Sequence, residues 1–185
     1  MDLNLLGIVG SLRKASMNRA LLRVVGEVLP DGVGLTTFDR IGELPLFNSD
    51  LPGLPEPVAA LQQAIADAHG IIIAVPEYNY SIPGSLKNAI DWASRPPSTT
   101  PLRGKPVGLI GSSIGMSGSM RAQYHLRQIL IYTDNPVMGQ PEVLIPNATA
   151  RFDAELRLID EPTRELLRRF AVAFVAHVRR FTPAG

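Results

Sequence analysis

The stretch Gly70-Ile71-Ile72-Ile73-Ala74-Val75-Pro76-Glu77-Tyr78-Asn79-Tyr80-Ser81-Ile82-Pro83-Gly84 decides how this chain folds. Residues 71–75 form a short apolar run, rich in β-branched side chains and bounded by a glycine and a proline. Such a run predicts a strand that is buried on both faces, as in a parallel sheet. The polar, aromatic residues 76–84 follow it, and ligands of open α/β sheets bind just beyond the carboxyl ends of strands. This loop is therefore the first candidate for a ligand site.

Outside this stretch, strand-like and helix-like segments alternate along the whole chain. Apolar runs predict further strands, and apolar residues at helical spacing predict helices between them. The predicted strands are 3–9, 33–38, 71–75, 105–110 and 136–145, the last with a polar break. This alternation predicts an α/β fold with a five-stranded parallel sheet. A length of 185 residues fits one domain, 1–185, with a sizeable core.

The composition excludes several functional classes. Hydrophobic residues make up 45% of the chain and charged residues 19%, which is typical of a globular protein. No apolar run approaches the roughly 18 residues that a membrane helix needs, and the start resembles no signal peptide. The net charge of +1 gives no general attraction to nucleic acid, and the absence of cysteine excludes thiolate sites. We therefore expect a cytoplasmic protein without nucleic-acid or membrane partners.

The loop after the first strand has the composition of a phosphate site. Serine hydroxyls and an asparagine amide lie at Ser11, Ser16 and Asn18, just where a helix is predicted to begin. The segment 3–26 contains cations and no acid; the cations are Arg13, Lys14, Arg19 and Arg23. A helix N-terminus presents free N–H groups and a partial positive charge, which suit a phosphate. Neither GxGxxG nor a P-loop is present, so the pattern favours a single terminal phosphate.

Three segments resemble the NAD(P)H-dependent FMN reductases, a family with azoreductase-like, chromate-reducing and quinone-reducing members. Residues 76–92, PEYNYSIPGSLKNAIDW, resemble the family's flavin-contacting loop and the helix after it. Residues 10–21, GSLRKASMNRAL, match every fixed position of its phosphate loop, GSLRxxSxNxxL. Residues 111–123 are similar to its G-A-S-x-G-x-x-G-G-x-R-A-Q stretch, but Ser112 replaces the alanine and Ser119 replaces the second glycine of the pair.

The resemblance implies a flavodoxin-like three-layer sandwich with the strand order 2-1-3-4-5. It also implies bound FMN, NADPH or NADH as reductant, and a ping-pong reaction with a quinone, azo, oxyanion or flavin acceptor. Family members form homodimers or tetramers, which we expect here as well. Because the flavin would carry the chemistry, we expect no catalytic side chain and no metal ligand. The implied cofactor-binding residues are Ser11, Arg13, Ser16, Met17, Asn18, Pro76, Glu77, Tyr78, Asn79, Ser81, Ser112 and Ser113.

Three alternatives remain at this stage. The protein could be a dedicated quinone or azo reductase, an FMN electron carrier of the flavodoxin type, or a phosphosugar-binding protein without redox chemistry. Electron carriers that dock charged partners need a strong charge patch, and the near-neutral total argues weakly against one. Uptake of FMN and its reduction by NADPH would separate the three.

Several local roles can also be predicted. His69 follows the second predicted helix directly, and we expect it to cap the carboxyl end of that helix. Ser81 or Ser85 is expected to cap the third helix at its start. The pair Lys87 and Asn88 is expected to lie on a solvated helix face.

Overall fold

The computed structural model describes residues 3–182, which fold around a sheet of five parallel strands in the order β2-β1-β3-β4-β5. The strands are β1 Leu3–Val9, β2 Val33–Phe38, β3 Gly70–Ala74, β4 Val107–Ser112 and β5 Val143–Ile145. This topology confirms the predicted fold class. The fifth strand is shorter than predicted, because its polar break separates an isolated bridge at Val137 from the three paired residues.

Within residues 3–182, five α-helices cover the two faces of the sheet. They are α1 Met17–Glu27, α2 Glu56–Asp67, α3 Gly84–Ala93, α4 Met120–Leu130 and α5 Glu161–Arg179, and short 3₁₀ turns lie at Ile41–Glu43, Ile131–Thr133 and Ala148–Ala150. Across residues 3–182, none of the helices is long and apolar enough to cross a membrane. The expected cytoplasmic location stays a prediction.

The central strand β3 is buried on both sides, as its composition predicts. Ile71 and Ile73 belong to the core cluster that contains α2, α3 and α4 residues, whereas Ile72 and Ala74 belong to the cluster of α1 and α5. Side chains alternate between the faces of a strand, so a strand covered by helices on both sides must be apolar throughout. The three layers follow from this alternation.

His69 does not cap α2, contrary to the prediction. The main-chain N–H of His69 donates to the Asn4 carbonyl at 2.8 Å, and the ring Nδ1 of His69 accepts the Asn4 main-chain N–H at 3.1 Å. The chain passes from α2 into β3 within two residues, so His69 already lies beside β1. The carboxyl end of α2 is instead bonded by the Lys105 ammonium group, which donates to the carbonyls of Ala66, at 3.1 Å, and Ala68. A cation suits these carbonyls, since they form the negative end of the helix dipole.

The prediction of a solvated Lys87–Asn88 pair is only half right. Lys87 is exposed and pairs with Asp91 one turn later. Asn88 is buried, because the proline-rich segment before α2 folds over α3. Its Oδ1 accepts the Phe47 N–H at 2.8 Å, and its Nδ2 donates to the Pro45 carbonyl at 2.9 Å. Trp92 donates to the same carbonyl at 2.7 Å, so it is a core residue that holds this segment.

Asp160 begins the longest helix, α5, and gives a first testable prediction. Its carboxylate accepts the hydroxyl and N–H of Thr163 at 2.6 and 3.0 Å and pairs with Arg151. The Thr163 hydroxyl and the Arg151 guanidinium lower the pKa of Asp160 below its ordinary value, although partial burial opposes them. We expect Asp160→Ala to lower the free energy of unfolding by about 1–2 kcal/mol at pH 7.

The same carboxylate makes this loss depend on pH. A carboxyl group whose pKa is lower in the folded protein than in the unfolded chain stabilises the fold. This contribution is complete above the unfolded pKa of about 3.8 and disappears as the pH falls through the folded pKa. Urea denaturation should therefore give a smaller difference in the free energy of unfolding between the wild type and Asp160→Ala at pH 3 than at pH 7. Asp31→Ala, at an exposed turn position, is the control. An equal difference at both pH values would contradict the role of the charged cap.

Candidate active site

The loops after β1 and β3 meet at the carboxyl edge of the sheet. The Gly10 N–H donates to the Ala74 carbonyl at 2.9 Å, and the Ser85 hydroxyl donates to the Gly10 carbonyl at 3.0 Å. A Cβ atom at position 10 would lie 2.9 Å from Cδ of Pro76, so glycine permits this close approach. Ser85 lies in the first turn of α3 and joins this helix to the loop after β1. It does not cap α3, whose N-cap position is occupied by Pro83.

The start of α1 is joined to the end of β4 by one buried side chain. Asn18 Nδ2 donates to the Ser112 carbonyl at 3.1 Å, and Asn18 Oδ1 accepts the Ser112 N–H at 2.8 Å. Both residues are buried. The amide therefore satisfies two main-chain groups that would otherwise be left without partners. Asn18 holds the first and third loops together, which is a positioning role.

A cavity of about 240 Å³ lies between the three loops. Its lining includes ten of the twelve residues that were predicted to bind the cofactor. They are Ser11, Arg13, Ser16, Met17, Asn18, Pro76, Glu77, Tyr78, Ser112 and Ser113, and Ile114 lines it as well. Residues from three separate segments of the sequence therefore meet around one space, which we call the first cavity.

One part of the first cavity carries hydrogen-bond donors and positive charge. Ser16 is the N-cap of α1, and its Oγ accepts the Arg19 N–H at 3.3 Å. Ser11 Oγ likewise accepts the Arg13 N–H at 3.3 Å, so both hydroxyls keep a proton to donate. The N–H groups of the first turn of α1 have no partners within the helix. Together with the guanidinium of Arg13, this region suits a phosphate.

Residues of the second and third loops line the rest of the first cavity, namely Pro76, Glu77, Tyr78, Ser112, Ser113 and Ile114. Ser112 is buried, and its Oγ has no hydrogen-bond partner among the residues that the structure describes. A buried hydroxyl normally finds a partner, so this atom is available to a polar group in the cavity. A planar ring with polar edges fits here, next to a phosphate held at the start of α1. The residues present therefore fit FMN.

A second cavity, of about 440 Å³, adjoins the first and shares Glu77, Ser113 and Ile114 with it. Its other lining residues are Asn79, Tyr80, Gly115, Met116, Ser117 and Arg121. The side chains of Ile114 and Met116 are largely exposed, which is unusual for large apolar groups. The second cavity therefore offers apolar contact to another molecule placed beside an occupant of the first.

The hairpin turn between the two cavities has an unusual backbone. Asn79 and Tyr80 have φ values of 50° and 65°, and two main-chain hydrogen bonds of 3.0 Å join Tyr78 and Ser81. Positive φ at both central positions defines a type I′ turn, which usually contains glycine. Ser81 Oγ bonds Nδ1 of His125 on α4 at 2.7 Å. Ser81 is absent from the lining of both cavities, and it does not cap α3.

Residues 3–150 match the family model of the NADPH-dependent FMN reductases. The chain belongs to this family. It is 45% identical to an NAD(P)H-dependent FMN reductase of Pseudomonas aeruginosa over 97% of each chain. It is 40% identical to a quinone reductase of Escherichia coli strain K12 over 96% of each. The solved structure of FerB, a flavoenzyme NAD(P)H:(acceptor) oxidoreductase from Paracoccus denitrificans, superposes with a TM-score of 0.89 at 35% identity, covering 97% of this chain and 98% of that one.

Membership of the FMN reductase family confirms the resemblance and the predictions of an oxidoreductase and of FMN as cofactor.

Ser119 is a serine that departs from the family pattern, in which this position is a glycine. Ser119 is fully buried and takes φ 72° and ψ 17°, the left-handed conformation that glycine favours. Its hydroxyl accepts Gln123 Nε2 at 3.1 Å. The third loop therefore takes a glycine-type conformation at this position with a serine in it.

The sequence did not reveal the second cavity as a separate space. Tyr80 and Arg121 lie in stretches that were recognised, yet neither was predicted as a site residue. Tyr80 is 70% exposed on the turn. The sequence signal that could have indicated its place in the site is an aromatic residue in a loop before a helix. Arg121 lies in the first turn of α4, where a cation is unfavourable for the helix dipole. That unfavourable placement is the signal that could have found it.

Proposed function

We propose that this protein binds FMN in the first cavity and uses NADH or NADPH to reduce a quinone in the second. The observation that carries the proposal is the convergence of three sequence segments on one cavity with a phosphate-binding part and a part for a ring. Ser11, Arg13, Ser16 and the N-terminus of α1 would hold the phosphate. Pro76, Tyr78 and the pair Ser112 and Ser113 would hold the ring.

When bound, FMN supplies hydride acceptance from a reduced nicotinamide and electron transfer to an acceptor. The chain itself binds the two ring systems, orients them and limits the access of water. The second cavity lies next to the first and shares Glu77, Ser113 and Ile114 with it. Reductant and acceptor would therefore use the same space in turn, which is the geometry of a ping-pong reaction.

The lining of the second cavity favours a planar acceptor of moderate polarity. Ile114, Met116 and Tyr80 offer apolar surface, while Asn79 and Ser117 can bond carbonyl oxygens. A quinone has an apolar ring and two such oxygens. The relative from Escherichia coli is named a quinone reductase, which supports the same choice.

The visible spectrum of the purified protein tests this function. We expect a yellow protein, or a colourless one that takes up FMN, whose flavin absorbance is bleached by NADPH without oxygen and restored by benzoquinone. Bound FMN that NADPH does not bleach would indicate an electron carrier instead. A protein that takes up no FMN would contradict the proposal and favour a phosphosugar-binding protein.

We also propose a homodimer or a tetramer. Trp92 is buried within the chain, so it offers no contact surface for a second copy. Tyr124, Ile131 and Tyr132 on and after α4 are 49%, 75% and 57% exposed, and this apolar surface suits a second copy. Light scattering should give a mass of at least twice 20.0 kDa at micromolar concentration. A species of 20.0 kDa alone would contradict the assembly.

A further inference from the structure

The carboxylate of Glu77 caps helix α4, although Glu77 lies on a different loop. It accepts the main-chain N–H groups of Arg121 and Ala122 at 3.0 and 3.4 Å and Arg121 Nε at 2.6 Å, and it forms an ion pair with Arg121 Nη2. Its side chain is only 6% exposed. Within the described part of the chain, the N-cap residue Ser119 makes no side-chain bond to the helix start. Glu77 therefore satisfies donors that a local cap would otherwise satisfy.

The Glu77 carboxylate remains charged at neutral pH. Burial alone would raise its pKa, but the bonds from the Arg121 guanidinium, the Ala122 N–H and the Ser117 hydroxyl outweigh burial, and the pKa lies below its ordinary value. An anion at the start of α4 also complements the helix dipole. The unfavourable position of Arg121 in the first turn is thereby compensated.

Arg121 extends this contact to the hairpin turn. Its guanidinium carbon lies 3.8 Å from the centroid of the Tyr80 ring, within the range of a cation–π contact. Tyr80 itself has a positive φ, which a tyrosine adopts only when its surroundings hold it there. Glu77, Arg121 and Tyr80 all line the second cavity, and we call these three residues the clasp.

We propose that Glu77 is a positioning residue that sets the shape of the second cavity through the clasp. Its carboxylate fixes the start of α4 against the turn, so Arg121 and Tyr80 form one wall of defined position. On this view Glu77 controls how the nicotinamide or the acceptor ring sits, and it is not a ligand of FMN. The inference rests on the proposed function, and it revises the predicted role of Glu77 in cofactor binding.

Glu77→Gln tests the clasp, because it keeps the size of the side chain and one acceptor oxygen but removes the charge. A hydrogen bond to a charged group changes an equilibrium constant about 10- to 150-fold, and the amide of glutamine keeps part of this bonding. We therefore expect KM for NADPH and for benzoquinone to rise about tenfold. We expect kcat and the Kd of FMN to stay within about threefold, because binding in the second cavity alone is weakened. Amide hydrogen exchange at Arg121 and Ala122 should become about tenfold faster, since their acceptor is weaker.

Two further variants complete the experiment. Arg121→Met should raise both KM values similarly, and the double variant should be no worse than the more severe single one, because both changes open the same clasp. Glu165→Gln removes an exposed Glu–Arg pair on α5 by the same substitution and should change none of these quantities.

Unchanged KM values with unchanged amide exchange would overturn the clasp. A loss of FMN affinity as large as the rise in KM would overturn it too, because Glu77 would then act on the cofactor. If the wild-type protein binds no FMN, the proposed function fails, whereas the exchange rates of Arg121 and Ala122 in Glu77→Gln still decide whether the clasp exists.

Discussion

Arg13→Ala is expected to raise the Kd of FMN about 10- to 150-fold, the effect of losing a hydrogen bond to a charged group, and to leave riboflavin binding almost unchanged. Arg13 lines the first cavity beside Ser11 and Ser16, and its forked guanidinium can bond two phosphate oxygens at once. The start of α1 and the two hydroxyls remain in the variant, so binding should weaken without disappearing. Titration of apoprotein with both flavins, followed by fluorescence quenching, measures the two affinities.

Lys14→Ala is the matched control for Arg13→Ala. Lys14 is the next residue and also carries a positive charge, but it is absent from the lining of the first cavity. It should leave both affinities unchanged. An unchanged FMN affinity in Arg13→Ala, or an equal loss for riboflavin, would show that the phosphate is not held by this loop.

Asn18→Ala is expected to lower the free energy of unfolding by about 2–4 kcal/mol, because it leaves two buried main-chain groups of Ser112 without partners. The FMN affinity should fall as well, since the same amide holds the first and third loops on either side of the first cavity. Urea denaturation measures the first effect, and flavin titration under conditions where the variant is folded measures the second.

Asn48→Ala makes the same substitution at an exposed loop position, where it removes one exposed bond from the Asp50 N–H, and it should lower the free energy of unfolding by less than about 1 kcal/mol. The two variants together separate the buried pairing from the general effect of losing an asparagine. Full stability in Asn18→Ala would contradict the pairing with Ser112. Lower stability with unchanged FMN affinity would show that the pairing supports the fold but not the cavity.

The sequence alone determined the architecture and which loops meet at the carboxyl edge of the sheet. Residues 71–75 are apolar without alternation, and only a strand covered on both faces requires that pattern. In a parallel sheet all carboxyl ends lie at one edge, so the loops after β1, β3 and β4 had to come together there. Their glycines, hydroxyls and cations could be recognised because a phosphate loop and a ring loop are contiguous in sequence.

The tertiary structure alone decided what individual side chains do at that edge. Asn18 and Ser112 are 94 residues apart, and Glu77 and Arg121 are 44 apart. Periodicity and capping patterns report on neighbours within a few positions, so they predicted a cap for His69 and could not show the distant partners of Asn18 and Glu77. Those patterns carry no information about the direction in which a loop side chain turns. That direction depends on which hydrogen-bond donors of another segment lack partners. Those donors come within reach only when the strands have assembled and the helix N-termini lie against the loops.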